Sequence, residues 1–426
     1  MDHFQYYDGN LLGEGVPLMD IARDVGTPFY VYSNATLERH YNIFSQAFEG
    51  MDTLVCYSVK ANSNIAVVRT LARLGAGADV VSGGELRRAI AAGIPANKIV
   101  FSGVGKTTQE LSEALKLGIL QINVESVPEL EMLSQVALEL GVQASVAFRV
   151  NPDVDAQTHA KISTGKAENK FGIEWNRIYD VCRIAQETPG ISIVGLAMHI
   201  GSQLTEIGPF RKAYARIVDL ASKLQADGFN IERLDLGGGL GIPYGDTKEP
   251  QIGPVEYARM VEEIFTDFDG KIIFEPGRVI AGNAGVLVTR VIYLKEGATR
   301  DFAIVDAAMN DLVRPSLYDA FHEIIPVAIS NDNNESVYYD VVGPVCETGD
   351  TFCTKHKLPK LFAGDLLAIR SAGAYGAGMA SSYNTRALIP EVMIKGRDFS
   401  IIRRRMEIDE LINLEKFPAW LSNNPY

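Results

Sequence analysis

The stretch L-V-C-Y-S-V-K-A-N-S-N-I-A-V-V-R-T-L-A-R-L-G-A-G-A-D-V-V-S, residues 54–82, carries one complete strand–helix–strand unit. Val55, Cys56, Tyr57 and Val59 read as a buried strand over 54–60, residues 63–74 as a helix, and A-D-V-V-S (78–82) as the next strand. The odd residue is Lys60. An amine in an apolar segment is costly unless it is paired, neutralised or covalently engaged. The mild alternative is a lysine at the strand's end that reaches water.

The alternation continues in both sequence and period. Further strand patterns are I-V-F-S-G (99–103), I-N-V-E-S (122–126), S-V-A-F-R-V (145–150), V-G-L-A-M-H-I (194–200), R-L-D-L-G (233–237) and K-I-I-F-E (271–275). Helical patterns lie between them, as at 85–92 and 128–140, where apolar residues recur three and four apart. Strands alternating with helices imply a parallel sheet. Eight such units between residues 54 and 278 fit a closed (β/α)8 TIM-type barrel, whose usual size is about 250 residues. A doubly wound open sheet is the alternative.

Beyond residue 285 the pattern changes. The runs 285–294, 301–306, 336–342, 365–370 and 398–405 read as strands with few helices between them, a mainly antiparallel β domain. F-Y-V-Y-S (29–33) is a strand that precedes the barrel and can join that domain. The expected organisation is an N-terminal segment over 1–33 contributing to the β domain, a barrel over 34–282 and a C-terminal β domain over 283–426, with the linker near G-N-A-G (282–285).

Bulk properties narrow the function. A chain of 426 residues exceeds one ordinary core. Its net charge of −13, with no long basic run, argues against nucleic acid as a main partner. No apolar run reaches the length of a bilayer span, and M-D-H-F-Q-Y-Y (1–7) lacks a basic start and an apolar core. A cytoplasmic location without membrane contact is expected. Cys56, Cys182, Cys346 and Cys353 are scattered, so neither a disulfide framework nor a zinc site is indicated.

In such barrels active sites form from loops at the C-terminal ends of the strands. Lys60, Asp79, Arg149, His199, Asp235 and Glu275 all fall at that end of their strand patterns. Each alone has a mild reading, a satisfied core histidine or an acid capping the next helix; six at one end of one barrel point to a site. The run L-G-G-G-L-G (236–241) follows the seventh strand and E-P-G-R (275–278) the eighth. Loops after strands seven and eight often hold phosphate, and successive backbone amides freed by glycine form an anion nest. A lysine that can form a Schiff base, a phosphate cradle and a carboxylate that keeps a pyridine nitrogen protonated together suggest pyridoxal 5'-phosphate.

Six segments then carry a resemblance: Y-S-V-K-A-N (57–62), H-I-G-S-Q (199–203), G-G-G-L-G (237–241), E-P-G-R (275–278), C-E-T-G-D (346–350) and G-A-Y-G (373–376). In that order they resemble the pyridoxal-phosphate-dependent ornithine/arginine/diaminopimelate decarboxylase family of the alanine-racemase-like barrel fold, the diaminopimelate branch most closely. Residues 151–172 are similar to the loop after that branch's fifth strand. The resemblance spans about residues 8–395. It departs at Thr348, where the family commonly has serine, and in having less proline after Y-N-T-R (383–386).

The resemblance implies decarboxylation of meso-2,6-diaminopimelate to L-lysine and CO2. Lys60 would hold the cofactor aldehyde, Glu275 would face the ring nitrogen, and His199 would stack on the ring. Asp79 and Arg149 would support the lysine and ring side. Ser202, the amides of Gly238, Gly239, Gly277 and Arg278, and Tyr375 would hold the phosphate. Arg278, Arg314 and Tyr318 would grip the distal carboxylate of the substrate. Cys346, the proton donor, and Glu347, a contact for the distal amino group, would come from the partner subunit of a homodimer with shared active sites.

The residue types suit that chemistry. Loss of CO2 leaves two electrons on Cα, which the ring accepts when its nitrogen is protonated; an acid at 275 favours that proton, where an arginine would disfavour it. A thiol is an acid of suitable strength to return a proton near neutrality. Arg278 and Arg314 can clamp a carboxylate bidentately, whereas ornithine or lysine would prefer an acidic pocket. Decarboxylation of another basic amino acid or a carboxylated polyamine, a non-catalytic pyridoxal-phosphate carrier and a phosphosugar-handling barrel remain the competing readings.

Overall fold

The computed structural model describes residues 2–155, 170–245, 252–329 and 335–422. The chain divides into two compact units, one over 34–284 and one over 1–33 with 285–426. Most of the segment resembling the loop after the fifth strand, residues 156–169, lies outside the described residues.

The first unit contains eight strands: β1 (Thr53–Ser58), β2 (Gly77–Val80), β3 (Ile99–Phe101), β4 (Gln121–Val124), β5 (Ala144–Asn151), β6 (Ile191–Ala197), β7 (Arg233–Asp235) and β8 (Lys271–Phe274). Each pairs in parallel with the next, and β8 pairs with β1 through Ile272 with Thr53 and Phe274 with Val55, so the sheet closes. The open-sheet alternative is excluded. Strands buried on both faces read as near-continuous apolar runs, which is why all eight were legible. Their ends were not: β1 stops at Ser58, and a single 3-10 turn, Val59–Ala61, follows.

Polar side chains set where the loops end and the helices begin. Asn64, Ser82, Thr107 and Ser126 each accept a backbone N–H in the first turn of the helices Ile65–Arg73, Gly83–Ala91, Thr108–Leu117 and Val127–Leu140. Thr107 with Glu110 forms a full capping box. These caps lie on the same side of the barrel as the C-terminal strand ends, so they stiffen the loops that carry the polar residues.

The outer helices lock to the barrel through aromatic packing. Phe48 stacks on Phe274 of β8 at 4.2 Å between centroids, and Tyr257 meets Phe48 edge-on at 6.0 Å. The Tyr214 and Tyr257 hydroxyls are 2.5 Å apart, and Tyr214 also donates to the carbonyl of Leu236, the residue that opens the glycine run. Outer packing therefore reaches the loop after β7 directly.

The second unit is built on a sheet in the order 351–359, 336–342, 301–305, 285–295, 29–33, 391–395, 398–403. Most pairings are antiparallel; 301–305 with 336–342 and 29–33 with 391–395 are parallel. Phe29–Ser33 is wholly buried between Gly285–Val288 and Glu391–Ile394. Phe29, Val31, Val286, Val288, Val392 and Ile394 form its core with residues of the N-terminal segment. Strand Thr351–Pro359 escapes sequence reading because T-F-C-T-K-H-K-L-P has little apolar alternation. The N-terminal hairpin Phe4–Tyr7 with Asn10–Gly13 turns at Asp8-Gly9, both at positive φ (47° and 73°), an Asp-Gly signature for a two-residue hairpin loop.

Phe48→Ala, which removes the ring stacked on Phe274, is expected to destabilise the barrel by about 3–5 kcal/mol, measured as a lowered denaturant midpoint; a change below 1 kcal/mol would show that the aromatic cluster contributes little.

Candidate active site

Charge gathers where the barrel strands end. Lys60 sits in the turn after β1 and donates from Nζ to Asp79 Oδ2 at 3.0 Å. Its side chain is 36% exposed, while Asp79 is fully buried. The lysine thus does lie past the strand's end, but it is paired with a buried acid. Asp79 Oδ2 also accepts from Ser58 Oγ at 2.7 Å, and its buried Oδ1 has no hydrogen-bond partner among the described residues.

Two more carboxylates lie nearby. Asp235 ends β7 and Glu275 directly follows β8. The two carboxyls face one another, and burial favours a proton on the pair. Glu275 Oε1 accepts from Ser102 Oγ at 3.2 Å; Asn123 Nδ2 donates to Ser102 Oγ at 3.0 Å and to Asp235 Oδ2 at 2.9 Å. Burial, then the negative charges of Asp235 and Asp79, push Glu275 well above the ordinary carboxylate range. Burial likewise raises Asp235 to about 6. Neither acid caps a following helix.

His199 lies two residues past β6, with Nδ1 accepting the Gly238 amide at 3.2 Å. That bond places the ring proton on Nε2. Burial, with the positive charges of Lys60 and Arg149, holds the imidazole well below its usual value, so the ring is neutral. Arg149, within β5, donates to Glu125 Oε1 at 3.0 Å and lies 4.9 Å over the Phe171 ring.

The loops after β6, β7 and β8 stack backbone on backbone. A Cβ at Gly238 would lie 2.2 Å from the Glu275 carbonyl oxygen, and one at Gly239, where φ is +113°, would lie 2.4 Å from that of Gly201. Only glycine fits both places. The Gly238 amide, expected among the phosphate donors, has its hydrogen bond to His199. Gly277 and Arg278 open a one-turn helix, Arg278–Ala281. Arg278 Nη2 donates to Ser202 Oγ at 2.9 Å and Nη1 to the Tyr244 hydroxyl.

The remaining candidates belong to the β unit. Arg314 and Tyr318 bound the short helix Arg314–Tyr318. Arg314 is buried and its Nη1 donates to His322 Nε2 at 2.8 Å; that leaves His322 Nδ1 to donate to the Arg370 carbonyl, also at 2.8 Å. Cys346 and Glu347 are exposed on a turn fixed by Asp350, which accepts the Val345 and Met309 amides at 2.7 and 2.6 Å. Glu347 hydrogen-bonds the Tyr383 hydroxyl. Tyr375 adopts a left-handed backbone, φ 56°.

Sequence reading passed over Ser102, Asn123, Glu125 and Tyr244. Ser102 and Glu125 were findable, since both directly follow a strand, as Glu275 does. Asn123 reads as one more residue of a buried strand, and Tyr244 as loop.

A family profile described as pyridoxal-dependent decarboxylase, pyridoxal binding domain, matches residues 34–282. The chain is 52% identical to a diaminopimelate decarboxylase of Vibrio cholerae over 97% of this chain and 99% of that protein. It is 51% identical to one of Pseudomonas aeruginosa, over 96% and 98%. The chain belongs to the diaminopimelate decarboxylase family of pyridoxal-dependent decarboxylases. Its structure is similar to the crystal structure of diaminopimelate decarboxylase from Helicobacter pylori complexed with L-lysine (TM-score 0.90, 40% identity, 93% of this chain and 98% of that one). It is also similar to the M. jannaschii enzyme in complex with L-lysine (TM-score 0.93, 37% identity, 99% of each chain).

Pyridoxal phosphate is the cofactor of this family, and the site fits it. Lys60 pairs with buried Asp79, and the buried carboxyls of Asp235 and Glu275, pushed upward by burial, are acids that a pyridinium cation would let ionise. The stacked glycine loops bring backbone, without side chains, to the mouth of the barrel.

Asp235 titrates higher in the folded protein, at about 6, than its ordinary 3.8. The folded state therefore retains a proton that the unfolded chain releases. This contribution is full below the ordinary value and is lost as pH rises through the folded one. Cofactor-free protein is expected to lose on the order of 2–3 kcal/mol from this group across that window. Asp235→Asn should flatten the slope of urea midpoint against pH between about 4 and 6.5; an unchanged slope would disprove the assignment.

Proposed function

We propose that this chain decarboxylates meso-2,6-diaminopimelate to L-lysine and CO2 as a homodimer in the cytoplasm, its barrel (34–282) holding pyridoxal phosphate and residues 1–33 and 283–426 forming the β domain. The observation that carries the reading is buried Glu275, its carboxyl pushed up by burial, in the same strand-end cluster as the Asp79-paired Lys60. Among the described residues no helix is long and apolar enough to cross a membrane.

The bound cofactor supplies an electron sink for the pair left on Cα when CO2 departs. Lys60 tethers it through Nζ, and Asp79 holds that amine in place. Glu275, whose buried carboxyl is pushed toward its protonated form, would face the ring nitrogen, give it that proton and stay beside it as the carboxylate. Neutral His199 packs against the ring without adding a cation that would compete for the electrons. Arg149 supports the ring side. Ser202, the Gly239, Gly277 and Arg278 amides and Tyr375 hold the phosphate, with Gly238 contributing mainly by orienting His199.

Specificity falls to cations. Arg278 and Arg314 are each buried and held in place by neighbours, Arg278 by Ser202 and Tyr244 and Arg314 by His322, which suits them to receive the distal carboxylate. Tyr318, one turn from Arg314, adds a hydroxyl. The proton that replaces CO2 comes from Cys346, and Glu347 meets the distal ammonium. Their exposure on a turn suits delivery into the site of the other subunit.

With pyridoxal phosphate added, purified protein should release CO2 from meso-diaminopimelate and not from L-ornithine or L-arginine; the reverse preference would reject the substrate. Cys346→Ala should lower kcat about 10²–10⁴-fold with little change in KM. Mixed, re-equilibrated Lys60→Ala and Cys346→Ala dimers should recover about a quarter of native activity, because each heterodimer rebuilds one intact site from two chains; no recovery would refute shared sites.

A further inference from the structure

A buried carboxylate outside the catalytic set joins three successive strand-end loops. Glu125 follows β4, and its side chain is 2% exposed. Oε1 accepts from Arg149 Nη1 at 3.0 Å and from the Gly103 amide, in the loop after β3, at 3.1 Å. Oε2 accepts the Gly172 amide at 3.0 Å. Gly172 directly follows Phe171, whose ring lies under the Arg149 guanidinium, and directly precedes Ile173–Glu174, which pairs with Val150–Asn151.

Glu125 is itself anchored. Its own N–H donates to Glu129 Oε2 at 2.8 Å, and Glu129 Oε1 accepts from Lys106 Nζ at 2.6 Å. Lys106, with a side chain 1% exposed, also donates to the Gly103 and Asn123 carbonyls. A carboxylate placed this way does not reach the reacting atoms. It fixes where the Arg149 guanidinium points, and Arg149 is close enough to His199 for its charge to act on that ring.

We infer that Glu125 is a positioning residue of the decarboxylase site: it orients Arg149 toward the cofactor ring and ties that orientation to the Phe171–Gly172 segment. The inference rests on the proposed cofactor site. A glutamine at 125 keeps the shape but puts an N–H2 group where one set of donors stands, so Arg149 or Gly172 loses its acceptor.

The test uses full-length dimer titrated with pyridoxal phosphate and followed by visible circular dichroism, with the thermal midpoint read on the same samples. Glu125→Gln should weaken cofactor binding about tenfold and change the sign or amplitude of the visible band, with a midpoint shift of only a few degrees. Arg149→Gln and the Glu125→Gln/Arg149→Gln double variant should bind equally, because Glu125 acts through Arg149. Additive losses, native binding in Glu125→Gln, or a binding loss that merely tracks a collapsed midpoint would each overturn the inference. Absence of cofactor binding by the native protein would instead sink the cofactor site itself.

Discussion

The barrel mouth is organised by an imbalance of charge. Asp79, Asp235 and Glu275 are buried, and Lys60 forms an ion pair with Asp79. Bare carboxylates in such a place would cost several kcal/mol each, and burial pushes the Asp235 and Glu275 carboxyls toward their protonated forms. A cationic ring that enters this environment meets acids already held by Ser102 and Asn123, with little reorganisation needed. The neutrality of His199 has its own cause: burial first, then the positive charges of Lys60 and Arg149, leave it uncharged.

The scaffold transmits this arrangement outward. Helix caps at Asn64, Ser82, Thr107 and Ser126 sit in the very loops that hold the polar residues, so local helix chemistry and site geometry share backbone. On the far side, the Tyr214 hydroxyl reaches the Leu236 carbonyl, so packing of the outer helices bears on the glycine loop. Those glycines carry no side chain because neighbouring carbonyls come within contact distance of where a Cβ would stand. The lack of side chains is a packing requirement and, at the same time, what lets a ligand approach the backbone.

Much of this was readable from residue order. The eight apolar runs appear as the eight barrel strands, displaced by a few residues at their ends, because burial on both faces leaves no polar alternation to obscure them. The β unit was harder. Its edge strand Thr351–Pro359 faces solvent with Thr354, Lys355 and Lys357, so its hydrophobic signal is faint. The hairpin at Asp8-Gly9 had a turn signature that was passed over. Within the site, Lys60, Asp79, Arg149, His199, Asp235 and Glu275 stood out by position. Asn123 did not, since an amide inside a buried strand looks the same whether it fills space or holds an acid.

By itself the sequence determined the alternation of strands and helices, the end of the barrel where polar residues collect, and the glycine and lysine motifs that mark a pyridoxal-phosphate site. These depend on local periodicity and on which residue types a short segment carries. Only the tertiary structure decided that Glu275 is buried beside Asp235, that Lys60 pairs with Asp79, and that Glu125 holds Arg149. Those relations join residues from different strands, and burial and Coulomb coupling between them exist only once the sheet has closed.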